Sequence, residues 1–114
     1  MNDKKFKPGF YDILKASSII TEAIHNDSSY YDYLEEYEYL IIYNLLRDTY
    51  FRLKDIKEAK KLLYDITIFI KENYPRFMKN KYIKEKGLKY RIITYLIYKR
   101  KYKLLDIISR RNNG

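Results

Sequence analysis

The chain has 114 residues, 46 % of them hydrophobic, with 15 tyrosines and neither cysteine nor tryptophan. That length allows one domain around a single core, and the lack of cysteine excludes disulfides, thiolate metal sites and a cysteine nucleophile, and fits a reducing compartment. The net charge of +9 is uneven, since residues 1–70 carry 10 Lys and Arg against 12 Asp and Glu while residues 71–114 carry 14 against 3; a general bias toward lysine would not confine the excess to the last third.

Residues 1–8 are polar and basic and read as a flexible or linking arm, closed by Pro8 and Gly9. They lack the apolar core of a signal peptide, and no apolar run reaches the roughly 18 residues of a membrane span, so a cytoplasmic protein is expected. Three glycines and two prolines leave little material for hairpins or phosphate-cradling loops, which argues for helices. The first is expected from Phe10, Ile13, Leu14, Ser17, Ile20 and Ile24, spaced by three and four, and stops at His25 to Asp27. Ser29 with Asp32 resembles a capping box for a long second helix running to about Leu53. One face of it carries Tyr30, Tyr33, Leu34, Tyr37, Leu40, Ile41 and Leu45, and Ile42, Leu46, Tyr50 and Leu53 form a second stripe. A helix apolar on two sides sits between neighbours.

Asp55 and Glu58 form a second capping box before a helix whose stripe is Ile56, Ala59, Leu62, Leu63, Ile66, Phe69 and Ile70. It should end at Asn73 to Pro75, because proline disfavours a helical residue before it. The stretch from Arg76 to Lys86 is short and irregular, and Gly87 is placed to close a brief helix in the left-handed conformation. Leu88, Ile92, Tyr95 and Leu96 then form a stripe, with Ile93 and Ile97 alongside, and a last helix carries Tyr102, Leu105 and Ile108 before fraying from Arg110 to Gly114. The expectation is an all-α fold, a compact antiparallel bundle of five to six helices over residues 9–110, with 111–114 as a disordered tail.

Catalytic chemistry has little to stand on. A single histidine, His25, supplies neither a triad nor a three-ligand metal site, and its expected place is the surface near a helix C-terminus. Ser17 and Ser18 have no histidine in register to activate them and read as packing residues. Glu35, Glu36, Glu38 and Asp48 crowd one stretch, but no second cluster of His or carboxylate completes a site, so a solvated polar face is the preferred reading.

The stretch Tyr74-Pro75-Arg76-Phe77-Met78-Lys79-Asn80-Lys81-Tyr82 resembles the aromatic-Pro-x-aromatic-x-Lys-Asn-x-Tyr segment near the C-terminus of many bacterial family 2 glycosyltransferases. Relatives would carry Phe-Pro and then Trp where this chain has Tyr74-Pro75 and Phe77. Phe10 to Ala16 is similar to the entry into the helical tail of those enzymes, and Lys99 to Leu105 resembles their basic ending, so the resemblance spans about residues 10–108. It implies a C-terminal helical domain without the nucleotide-sugar domain, and with it no catalytic residue, no cofactor and no metal ligand in this chain. The nucleotide sugar and divalent metal would belong to that other domain of the parent chain, which becomes the first expected partner.

Within the resembling motif, Tyr74, Pro75, Phe77, Asn80 and Tyr82 are expected to form a structural corner, with both rings against the second and third helices. Lys99, Arg100, Lys101, Lys103, Arg110 and Arg111 form a candidate contact with an anionic membrane surface. A second copy of the chain is a further candidate partner. A free-standing helical adaptor with a groove for a protein is the alternative function. Nucleic-acid binding, suggested by Tyr90, Tyr95, Tyr98 and Tyr102 among the cations, ranks below it, because those tyrosines also fit helix packing and no RNP, KH or zinc-finger pattern is present.

Overall fold

The computed structural model describes residues 8–113, and the side chains of residues 9–108. Among the described residues every regular element is helical, and the fold is the all-α bundle that the periodicity predicts. The expected arm lies outside the described residues apart from the backbone of Pro8.

A 3₁₀ turn over Pro8–Phe10 leads into α1 (Tyr11–His25). Its inward side is Ile13, Leu14, Ser17, Thr21 and Ile24, whereas Ile20, expected in the stripe, is 46 % exposed. The phase is set by a polar contact: the Thr21 and Tyr74 hydroxyl oxygens are 2.7 Å apart in a buried pair. A buried phenol needs a partner, and turning Thr21 inward turns Ile20 out.

The expected capping box at Ser29 and Asp32 is replaced by Asp27, whose Oδ1 accepts from the Ser29 amide at 3.0 Å and the Ser29 hydroxyl at 2.8 Å. Those bonds hold the Asp27 carboxyl below its usual pKa. The chain first takes a 3₁₀ path over Ser28–Tyr33, which leaves Tyr30 and Tyr33 exposed rather than on the core face.

α2 (Leu34–Ile41), a π-helical stretch (Ile42–Asp48) and α3 (Thr49–Leu53) follow without a break in right-handed helical geometry, forming one rod. Ile41, Ile42, Leu45, Leu46, Tyr50 and Leu53 are all buried. The middle of the rod is packed by α1, by α4 (Lys60–Asn73) and by α6 (Leu88–Tyr98). The two-sided apolar pattern therefore does place this helix at the centre, each such side chain contributing about 1.5–3 kcal/mol on burial. The π-helical stretch carries no sequence signal that we recognise; within it the Asn44 carbonyl is bonded five residues on by the Thr49 hydroxyl at 3.2 Å.

α4 begins later than the Asp55 and Glu58 pattern suggests. A 3₁₀ turn over Lys57–Ala59 intervenes, and the residues capping it and α4, Ile56 and Ala59, make no side-chain cap. Both are buried at 6 % and 0 % exposure, so apolar packing anchors this helix start. Leu62, Leu63, Ile66 and Ile70 face the core. The helix ends at Asn73, with Tyr74 before the proline forced out to φ −137°, ψ 52°.

α5 (Lys81–Lys84) is one turn long, α6 follows, and α7 spans Tyr102–Asn113, including positions assigned above to a tail. Gly87 has φ 93° but ψ 169°, and it begins α6 instead of closing α5. A Cβ there would meet nothing within 4 Å, so conformation alone demands the glycine. The expected α6 stripe holds only in part: Leu96 and Ile97 are buried, together with Thr94, whereas Leu88, Ile92 and Tyr95 are 68 %, 42 % and 43 % exposed. At its end the Lys101 amide bonds the Leu96 carbonyl (2.9 Å) and the Arg100 amide the Ile97 carbonyl (3.0 Å), a Schellman closure. Arg100, at φ 58°, occupies the left-handed position that glycine usually takes.

Candidate interaction surface

The motif that carries the resemblance is folded inward. Tyr74, Phe77 and Asn80 are 4 %, 1 % and 2 % exposed, Pro75 is exposed in the turn, and Tyr82 is partly buried. Tyr74 packs against Phe69 of α4 and the His25 ring of α1, at centroid distances of 6.1 and 5.5 Å. Burial pushes its phenol up to about 12. The Phe77 ring meets Tyr98 of α6 edge-on at 5.0 Å, so α6 and α1 grip the corner's rings besides the α4 that was expected.

Asn80 connects three segments. Its Oδ1 accepts from the Tyr82 and Ile83 amides at 2.9 and 3.3 Å, capping α5. Its Nδ2 donates to the Glu35 carbonyl and to Glu38 Oε1, both at 2.8 Å. Glu35 Oε2 takes the Lys81 amide at 3.0 Å, and Glu36 Oε1 takes the Tyr82 hydroxyl at 2.9 Å. Glu35, Glu36 and Glu38 thus clasp the start of α5, correcting the reading of a solvated acidic face. Burial raises the Glu38 pKa, with the Asn80 bond opposing it and the Glu35 charge adding to it.

The basic end is divided in the structure. Arg100 turns back onto α4, donating from Nη1 to Thr67 Oγ1 at 2.9 Å and lying 4.6 Å over the Tyr64 ring. Lys99 lies 5.7 Å from the rings of both Tyr95 and Tyr98. Lys101 and Lys103 are exposed, and the side chains of Arg110 and Arg111 lie outside the described residues. Six cations are therefore not shown as one surface.

Sequence reasoning missed Arg47, in the π-helical stretch. Its guanidinium is 3.8 Å over the Tyr90 ring and donates to Thr94 Oγ1 at 2.7 Å. Partial burial lowers its pKa, while burial pushes the Tyr90 phenol up to about 12. Neither signals its partner in sequence, because 43 residues separate them. Two features lie open to solvent. One is the α6 stripe of Leu88, Ile92 and Tyr95. The other is a shallow groove of about 540 Å³ between α1 and α4, floored by Leu14, Ile19, Ile68 and Phe69 and rimmed by Lys15 and Glu72. Ser18 lines that groove, exposed, while Ser17 is buried.

His25 is exposed at the end of α1. Among the described residues no three His, Cys, Asp or Glu side chains converge as metal ligands, and no helix is long and apolar enough to cross a membrane. The chain matches no family model, no curated protein and no solved structure at a significant level.

Proposed function

We propose that the chain is a non-catalytic C-terminal helical domain of a bacterial glycosyltransferase, packing on and orienting the nucleotide-sugar domain of the same parent chain. The observation that carries this reading is the inward fold of the resembling motif. Tyr74 and Phe77 fill the core, and both polar ends of Asn80 are engaged by the chain itself. A motif whose aromatic and amide side chains are consumed in this way builds a scaffold. The outward α6 stripe of Leu88, Ile92 and Tyr95 is the surface we assign to the docked domain. Nucleotide sugar and divalent metal would be held by that domain, as the resemblance implies. At the cytoplasmic membrane face, Lys101 and Lys103 would lie toward anionic lipid.

The gene tests this directly. The reading frame upstream of the Met1 codon should encode an α/β domain with an Asp-any-Asp motif. A stop codon shortly upstream would overturn the proposal in favour of the adaptor reading, for which the groove between α1 and α4 is the supporting feature. In a second test, the chain mixed with nucleotide sugars and magnesium should neither hydrolyse nor transfer them; turnover would contradict a non-catalytic role.

A further inference from the structure

The turn between α6 and α7 faces a small pocket that none of the preceding argument uses. Tyr64, Thr67 and Lys71 line it from one stripe of α4, and Tyr98, Lys99 and Arg100 line it from the other side. Three cations line it, and no Asp or Glu is among its described lining residues. Among the described residues none of the three cations has a carboxylate partner.

Lys71, Lys99 and Arg100 are all exposed, and two further observations bear on how Arg100 is placed. Arg100 holds a left-handed backbone conformation, φ 58°, that an arginine adopts only at a cost glycine would avoid. The Schellman closure of α6 fixes that conformation and aims the side chain back toward α4. Its guanidinium is also set in advance: Nη1 is bonded to Thr67 Oγ1, which itself donates to the Tyr64 carbonyl at 2.7 Å, and the plane lies on the Tyr64 ring. A guanidinium has five N–H donors in a fixed fork, so the remaining ones are available with little ordering left to do.

The volume limits the ligand. At about 230 Å³ the pocket is smaller than the roughly 300–1,000 Å³ of sites for drug-sized molecules. A phosphoryl group fits, with the planar fork of Arg100 matching its oxygens and Lys71 and Lys99 acting as point charges. We infer that this pocket is a binding site for a phosphate monoester or diester, with Arg100 as its anchoring residue and Lys71 and Lys99 completing it. The assignment stands independently of the glycosyltransferase reading.

The test uses the full chain and two kinds of probe. Isotope-edited NMR with inorganic phosphate and with glycerol phosphate should give saturable shifts centred on Thr67, Lys71, Lys99 and Arg100. Cosedimentation with phosphatidylglycerol vesicles, against phosphatidylcholine vesicles, then shows whether a lipid headgroup is taken; binding of soluble phosphates alone would assign the pocket to a free ligand. Arg100→Gly suits the backbone at this position and should fold, yet should weaken binding about tenfold or more, the scale of a lost charged hydrogen bond. Lys84→Gln removes the same charge at an exposed position outside the pocket and should leave binding nearly unchanged. Shifts spread over all exposed lysines, or equal weakening by Arg100→Gly and Lys84→Gln, would overturn the inference, as would no saturable binding of any probe.

Discussion

Asn80 shows how one side chain can decide a local fold. It is 2 % exposed and serves both as the cap of α5 and as the donor that ties α5 to α2. Replacing it with Ala removes the cap and strands acceptors behind it, and should cost about 2–4 kcal/mol in urea unfolding. A cost under about 0.5 kcal/mol, typical of surface changes, would mean that α5 is held by packing alone. Its partner Glu38 makes a separate prediction. The folded pKa of Glu38 is raised above the ordinary 4.5, chiefly by burial, so the folded state holds that proton more tightly than the unfolded state does. This contribution to stability is complete below the unfolded pKa and is lost as pH rises through the folded one. Glu38→Gln keeps an acceptor for Asn80 without the buried charge. Relative to the parent, it should therefore be more stable at neutral pH than at a pH below the carboxylate range. Equal differences at both pH values would show that Glu38 ionises as freely in the folded chain as in the unfolded one. The motif drew attention to Asn80 in the sequence, but not to its glutamates. They lie 42 or more positions away, and a glutamate on a helix reads the same whether it meets water or a distant amide.

The helices themselves were legible because three-and-four spacing is a local property, and α1, the central rod, α4 and α6 lie close to where their apolar patterns put them. Their phases were less so. In α6 nearly every position from Ile92 to Ile97 is apolar or small, so several rotations bury comparable area, and Thr94 settles the choice by receiving Arg47 from the rod while its own hydroxyl bonds the Tyr90 carbonyl. This places Ile97 at 2 % exposure and Ile92 at 42 %. Ile97→Ala should then cost about 2–5 kcal/mol, whereas Ile92→Gln should stay within about 0.5 kcal/mol, both by chemical denaturation. Reversed magnitudes would contradict this phase. If Ile92→Gln leaves stability alone yet weakens association with an upstream domain, the stripe is the docking face. The π-helical stretch was beyond reach for another reason. Arg47 within it meets Thr94 and Tyr90 of α6, and the Thr49 hydroxyl bonds the Asn44 carbonyl, contacts that propensity scales do not see.

At the scale of the whole molecule, the division between an acidic first part and a basic last part is only partly cancelled by folding. The α2 glutamates do reach the basic segment, but they bind Asn80, the Lys81 amide and the Tyr82 hydroxyl, not lysine ammonium groups. The ion pairs Arg52–Asp48 at 3.7 Å and Lys61–Asp65 at 2.9 Å join neighbours within one helix or rod, and pairs of this kind contribute about 0–1 kcal/mol. Several cations rest instead on aromatic rings, as Lys86 does 5.4 Å from Tyr39, which leaves their positive charge uncompensated. Self-repulsion should accordingly outweigh pairing. The molecule measures 45 × 34 × 22 Å, and the Debye length falls from about 30 Å at 0.01 M salt to about 8 Å at 0.15 M. At the lower concentration the charges act on one another across the full thickness of the bundle; at the higher they act only on near neighbours. The melting temperature should therefore rise as sodium chloride is added over that range, because screening relieves the compact state more than the expanded one. A fall would mean that attraction between the acidic first part and the basic last part dominates. In that case the same titration on Lys61→Gln and Arg52→Gln would show whether the two helical pairs carry the attraction or the longer-range field between α2 and α5 does.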